Sequence, residues 1–136
     1  MTRPTGGCAC SAIRYTVEAD PIVMMNCHCR DCQRASGSAY AAIVVVPREA
    51  VQIVGELQHY AVTGGSGKLV KRGFCPSCGS QVAISLEKIP GIIGLHAGSL
   101  DDPTLHTPTA EVWTESAQPW DRMLEHTEKY PQGRLK

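Results

Sequence analysis

The stretch CHCRDCQRASGSAYAAIVVVP, residues 27–47, decides the fold. It opens with three cysteines in six residues, passes through a short helical turn and ends in an apolar run closed by proline. In an extended segment, side chains at i and i+2 point the same way, so Cys27 and Cys29 face together while His28 points aside. A helical turn over residues 29–35, stopped by Ser36-Gly37, returns Cys32 to that face one turn later. Three sulfurs then cup one point in space. Residues 39–46, rich in Ile and Val, follow as a buried strand.

Outward from there the pattern stays short-stranded. Residues 12–18 alternate around Ile13, Tyr15 and Val17, and residues 51–54 and 57–62 flank Gly55-Glu56, which reads as a hairpin turn. Residues 68–74 lead into the knuckle Cys75-Pro76-Ser77-Cys78-Gly79, and 82–86 and 92–97 are further strands. Gly64-Gly65-Ser66-Gly67 reads as a flexible loop, because the strand–Gly-loop–GK[ST]–helix order that a phosphate cradle requires is missing around it. A second helical turn follows Asp101-Asp102-Pro103. Many short strands punctuated by Gly and Pro predict a mainly β, antiparallel domain over residues 1–136, with one or two short helical turns. The polar tail, residues 128–136, is expected to fray.

Bulk composition limits the function classes. With one Phe, two Trp and four Tyr in 136 residues, the core is built mainly from Val, Ile, Leu and Ala. The formal net charge is zero, which argues against nucleic acid as a partner. The N-terminus has no apolar signal core, and no apolar run reaches the roughly 18–20 residues that span a bilayer. A soluble, cytoplasmic protein without a membrane partner is expected. In a reducing compartment paired cysteines hold metal more often than disulfides, and an odd count leaves one thiol unpaired in any all-disulfide scheme.

The seven cysteines fall as Cys8-x-Cys10, Cys27-x-Cys29-x-x-Cys32 and Cys75-x-x-Cys78. Spacing of this kind suits zinc: four thiolates close a structural site, and three leave a position open. Spacing alone permits two pairings. One joins Cys29, Cys32, Cys75 and Cys78 as a ribbon; the other joins Cys8 and Cys10 to Cys75 and Cys78. The i, i+2 alternation favours the second and leaves Cys27, Cys29 and Cys32 as their own site.

The run Gly7-Cys8-x-Cys10 with Arg14-Tyr15, then Cys27-His28-Cys29-x-x-Cys32-Gln33-Arg34-x-Ser36-Gly37, then Phe74-Cys75-x-x-Cys78-Gly79, resembles the glutathione-dependent formaldehyde-activating enzyme / centromere protein V family. Glu111-x-Trp113 and Pro119-Trp120 resemble its C-terminal stretch. The resemblance implies a tent-like arrangement of twisted β sheets and two zinc ions per chain. It implies a structural zinc on Cys8, Cys10, Cys75 and Cys78, and a catalytic zinc on Cys27, Cys29 and Cys32. It further implies a carbon–sulfur lyase-type activity that condenses a thiol, glutathione, with a small aldehyde such as formaldehyde. Ser11 departs from the family, standing where many members have Gly. The chain also looks shorter than the formaldehyde-activating enzymes, which implies reduced loops around a glutathione pocket.

Other side chains carry weaker signals. His28 is a proton shuttle, a hydrogen-bond donor that supports the ligands from behind, or a residue simply packed on the reverse face; His96 lines the pocket or is structural. His59, His106 and His126 read as surface residues. Arg30 and Arg34 steer an anion or form a solvated face with Asp31, the second being favoured. Trp113 and Trp120 read as core rather than pocket wall. Two other function classes compete with the enzyme. One is a purely structural zinc module that acts through protein contacts, with a fourth ligand closing the second site. The other is a thiol-redox enzyme, which Cys29-x-x-Cys32 lacks the βαβ surroundings to support.

Overall fold

A computed structural model describes residues 3–133. Among these residues the chain forms eleven strands and one α-helix: β1 (Thr5–Gly7), β2 (Arg14–Val17), β3 (Val23–Cys27), α1 (Arg30–Ser36), β4 (Ala41–Pro47), β5 (Val51–Val54), β6 (Gln58–Thr63), β7 (Leu69–Phe74), β8 (Gln81–Leu86), β9 (Ile89–His96), β10 (Ala110–Val112) and β11 (Glu128–Lys129). They make a three-stranded sheet, β1-β2-β5, and an eight-stranded sheet, β11-β10-β3-β4-β9-β8-β7-β6. The mainly β expectation holds. Helical structure beyond α1 is confined to single 3-10 turns, one of them at Pro103–Leu105 after Asp101-Asp102.

The unbroken apolar run of β4 has a simple cause. Val44 and Val46 enter one core cluster with Ile13, Tyr15, Val17 and Leu95. Ile43 and Val45 point the other way, into a second cluster with Met25, Ile84 and Val112. A strand covered on both faces needs no polar side. β2 is covered on one face only, so it alternates: Ile13, Tyr15 and Val17 are buried while Arg14 and Thr16 are exposed.

Two expectations change. Gly55-Glu56 is not a hairpin turn, because β5 pairs with β2 in the small sheet whereas β6 pairs with β7 in the large one. The Gly55-Glu56 link carries the chain between sheets. The fold is not wholly antiparallel, since β10 runs parallel to both β3 and β11. The tail expected to fray begins with that pairing at Glu128–Lys129, while residues 134–136 lie outside the described residues. Among the described residues no helix is long and apolar enough to cross a membrane.

The turn joining β1 to β2 holds Cys8 and Cys10 and is tightly packed. A Cβ on Gly6 would lie 2.3 Å from Tyr15 Oη and 2.4 Å from the Ser99 carbonyl. The strand therefore needs a residue without a side chain where it crosses the Tyr15–Ser99 hydrogen bond (2.6 Å). Ser11, at φ 65°, sits in the left-handed region. That conformation costs a non-glycine residue about 1–2 kcal/mol. Ser11→Gly is expected to stabilise the metal-loaded protein by about 0.5–1 kcal/mol after the entropy of the added glycine is counted. Urea unfolding of the two proteins measures it, and an unchanged or lower midpoint would refute it.

Candidate metal centres and the cavity beside them

The small sheet's β1–β2 turn and the knuckle after β7 meet edge to edge. Cys8, Cys10, Cys75 and Cys78 bring all four sulfurs within 4.8 Å of one another, a group that can hold a metal ion. Four sulfurs about 2.3 Å from one ion at tetrahedral angles would lie about 3.8 Å apart. Cys8 and Cys10 are separated by 3.6 Å, and Cys10 and Cys75 by 3.7 Å. The spacing suits a tetrahedral thiolate site. Backbone amides complete it: Ile13 donates to Cys8 Sγ (3.2 Å), and Ala9 donates across to Ser80 Oγ (3.0 Å). Cys78 is held down to a pKa of about 5, chiefly by the Ser80 hydroxyl 3.1 Å away.

The second group is built from one continuous segment. Cys27 ends β3, Cys29 caps α1 and Cys32 lies in its first turn. Their sulfurs also gather within 4.8 Å, and among the described residues no fourth His, Cys, Asp or Glu joins them. Cys29 Sγ accepts from the Cys32 amide at 3.3 Å, the role a serine or aspartate oxygen plays at other helix starts. Gly37 closes the helix in the left-handed conformation, as Ser36-Gly37 foretold. As free thiols the three share protons unequally. Cys29 falls to about 2 because the Cys27 and Cys32 thiols hydrogen-bond to it, whereas Cys27, the donor, is pushed well above its ordinary value.

His28 faces away from the sulfurs. It is fully buried, with Nε2 2.8 Å from Glu111 Oε1 and Nδ1 3.1 Å from Asp121 Oδ2, the latter out of line for a hydrogen bond. Glu111 also accepts from Thr127 Oγ1 (2.6 Å) and the Leu124 amide (3.0 Å). Burial pushes the Glu111 acid up, but the Thr127 hydroxyl and His28 outweigh it and hold it below its usual range. Gln33 fastens the other side: its amide donates to the His28 and Ser116 carbonyls, and Gln118 donates to it. The segment carrying three sulfurs is thus pinned from behind by buried polar bonds. The structure puts His28 on the reverse face, bonded to Glu111 and turned away from the sulfurs.

In front of the sulfurs lies a cavity of about 390 Å³. Arg72 on β7 is the group that sequence reading passed over. It is 6% exposed, and both terminal nitrogens lie 3.6 Å from Cys32 Sγ. Its Nε is buried without a hydrogen-bond partner. The signal was available: period-2 alternation puts Arg72 on the same face of β7 as Val70 and Phe74. A charged residue in a strand suggests solvent, and that habit hid it.

Trp113 also lines the cavity, at φ 56°, while Trp120 is 67% exposed. Neither is simply a core residue. Gly64 and Gly65, read as a featureless loop, form the β6–β7 turn at the cavity rim, where a Cβ on Gly65 would press Trp113 at 2.9 Å. Arg30 and Asp31 stand at the rim too, and Arg34 is exposed without joining the site. His96 lies elsewhere, in a groove with Tyr40, Gln81 and Ser99; burial first and Arg72 second push it down to about 4. His59 and His126 are exposed as expected, but His106 is half-buried, with Nε2 3.1 Å from Asn26 Oδ1.

Comparison with known proteins follows this geometry. Residues 3–116 match the family described as glutathione-dependent formaldehyde-activating enzyme. A Penicillium rubens protein named "Putative glutathione-dependent formaldehyde-activating enzyme" is 30% identical over 83 residues, which cover 60% of this chain and 43% of that protein. The chain therefore spans less than half the length of that relative. A crystal structure of a Rhodobacter sphaeroides protein superposes with a TM-score of 0.59 at 22% identity, covering 76% of this chain and 96% of that one. At that identity the likeness concerns the fold alone.

Proposed function

Since the chain belongs to the glutathione-dependent formaldehyde-activating enzyme family, we propose that it joins a thiol to a small aldehyde, with glutathione and formaldehyde as the pair the family name suggests. The observation that carries this reading is the three-sulfur group beside a cavity, with no fourth protein ligand among the described residues. Two closed staples would leave that cavity without a purpose, so the structural-module alternative is the weaker one.

The residues divide the work. Cys8, Cys10, Cys75 and Cys78 would hold a structural zinc that ties the two sheets together. A zinc ion on Cys27, Cys29 and Cys32 would supply a Lewis acid with an open position, which lowers the pKa of an incoming thiol. Three thiolates and a dication sum to −1, and the buried Arg72 guanidinium beside Cys32 offsets that charge. Arg72 so keeps the site near neutrality in surroundings that solvate charge poorly. His28, Glu111 and Gln33 hold the sulfur-bearing segment rigid. In the reaction the thiol sulfur bonds to the carbonyl carbon and the C=O π pair moves to oxygen. The proton lost by the thiol is balanced by one gained at that oxygen, and nothing is oxidised or reduced.

The test is to load the protein with zinc, count two equivalents per chain, and follow adduct formation from glutathione and ¹³C-formaldehyde by NMR exchange. Acceleration in proportion to protein concentration is expected. Absence of acceleration for every thiol–aldehyde pair tried, with both sites loaded, would overturn the proposal.

A further inference from the structure

The cavity is walled by branched and aromatic side chains, among them Ile43, Val45, Val70, Ile84, Ile92 and Trp113. Its volume, about 390 Å³, is more than ten times the roughly 30 Å³ share of a water molecule. Formaldehyde is little larger than water and leaves most of that space unfilled. The two carboxylates and ammonium group of glutathione do not suit that aliphatic wall, which is left to the carbonyl partner. Burying such charges against aliphatic side chains is costly unless each finds a partner. Arg30 at the rim already donates to Gln33 Oε1 at 2.5 Å, and Arg72 directs both terminal nitrogens to Cys32. Each terminal nitrogen of Arg72 carries a second N–H besides the one directed at Cys32, and Arg72 is among the residues that line the cavity. An apolar molecule with a single oxygen matches that inventory.

We infer that the carbonyl partner of this site is an aldehyde with an apolar tail of roughly six to ten heavy atoms, the tail against Val70, Ile84 and Ile92 and the oxygen turned to Arg72. The inference rests on the thiol–aldehyde reading above and narrows its substrate class. Carbon–sulfur bond formation places negative charge on the carbonyl oxygen, and a guanidinium N–H held beside it stabilises that charge as it develops. The oxygen then takes a proton from solvent in place of the one the thiol gave up, so the product is a hemithioacetal.

Primary alcohols from ethanol to octanol serve as unreactive stand-ins for the aldehydes. Titrated calorimetrically into the zinc-loaded protein, they are expected to bind about three- to fourfold more tightly per added methylene until the cavity is full. With one thiol held constant, kcat/KM is expected to climb in the same way from acetaldehyde to octanal, with formaldehyde lowest. Val70→Phe, which narrows the cavity, should cut the octanal-to-acetaldehyde ratio at least tenfold. Arg72→Gln should lower kcat at least tenfold across the series without flattening its slope. A flat alcohol series, with formaldehyde turned over fastest, would overturn the apolar-tail assignment and leave the thiol–aldehyde reading intact. A rising alcohol series with no adduct from any aldehyde would overturn that reading instead.

Discussion

Cys75→Ser is expected to unfold the protein, or to lower its melting temperature by far more than any substitution at the three-sulfur site. Cys75 is completely buried, and its group is where the turn carrying Cys8 and Cys10 meets the β7–β8 knuckle. Structural zinc in small domains contributes an apparent 10–16 kcal/mol near neutral pH, while a whole domain is stable by only about 5–15 kcal/mol. Losing one of four thiolates need weaken the site only partly to exceed the margin. Serine adds a second penalty, because its hydroxyl is left in a fully buried position built for sulfur. Circular dichroism melts beside metal analysis would show the effect, and an excess of chelator should reproduce it in the wild type. A folded Cys75→Ser protein that melts with the wild type would mean the cluster is no staple.

The parts legible in the sequence are those fixed by local periodicity. Ile13, Tyr15 and Val17 alternate because one face of β2 is covered, and they are buried together. Cys27, Cys29 and Cys32 converge because i, i+2 extension followed by one helical turn leaves little other choice. Pairing between distant segments was harder to read. β3 (Val23–Cys27) carries two methionines and an asparagine, none a strong strand former, and is a strand because β4 and β10 lie on either side of it. Gly55-Glu56 had hairpin chemistry, but the sheets on its two sides differ, and only tertiary pairing decides that. Glu111 reads in the sequence only as part of a motif; its chemistry is set by the fold, which brings His28, Thr127 and the Leu124 amide onto it. Arg72 belongs with these, since its partner Cys32 comes from another part of the chain.

Cys29→Ser is expected to separate chemistry from folding more cleanly than any other single change. Cys29 is the N-cap of α1, and its sulfur accepts the Cys32 amide. Serine is among the preferred N-cap residues, so the helix keeps its first turn and loses little or none of the roughly 1 kcal/mol a cap contributes. His28 still bonds to Glu111 and Gln33 to the His28 carbonyl, so the segment stays pinned. What goes is one of three soft donors in a site that has no fourth ligand among the described residues. Zinc content is therefore expected to fall from two equivalents to one, turnover by at least about 10³-fold, and melting temperature by only a few degrees. The contrast with Cys75→Ser is the decisive part: one substitution should remove the fold, the other the activity. Two bound zinc ions together with full turnover in Cys29→Ser would move the reaction away from this group of sulfurs. A collapse in stability equal to that of Cys75→Ser would make the second site a staple as well, and would favour the structural module over the enzyme.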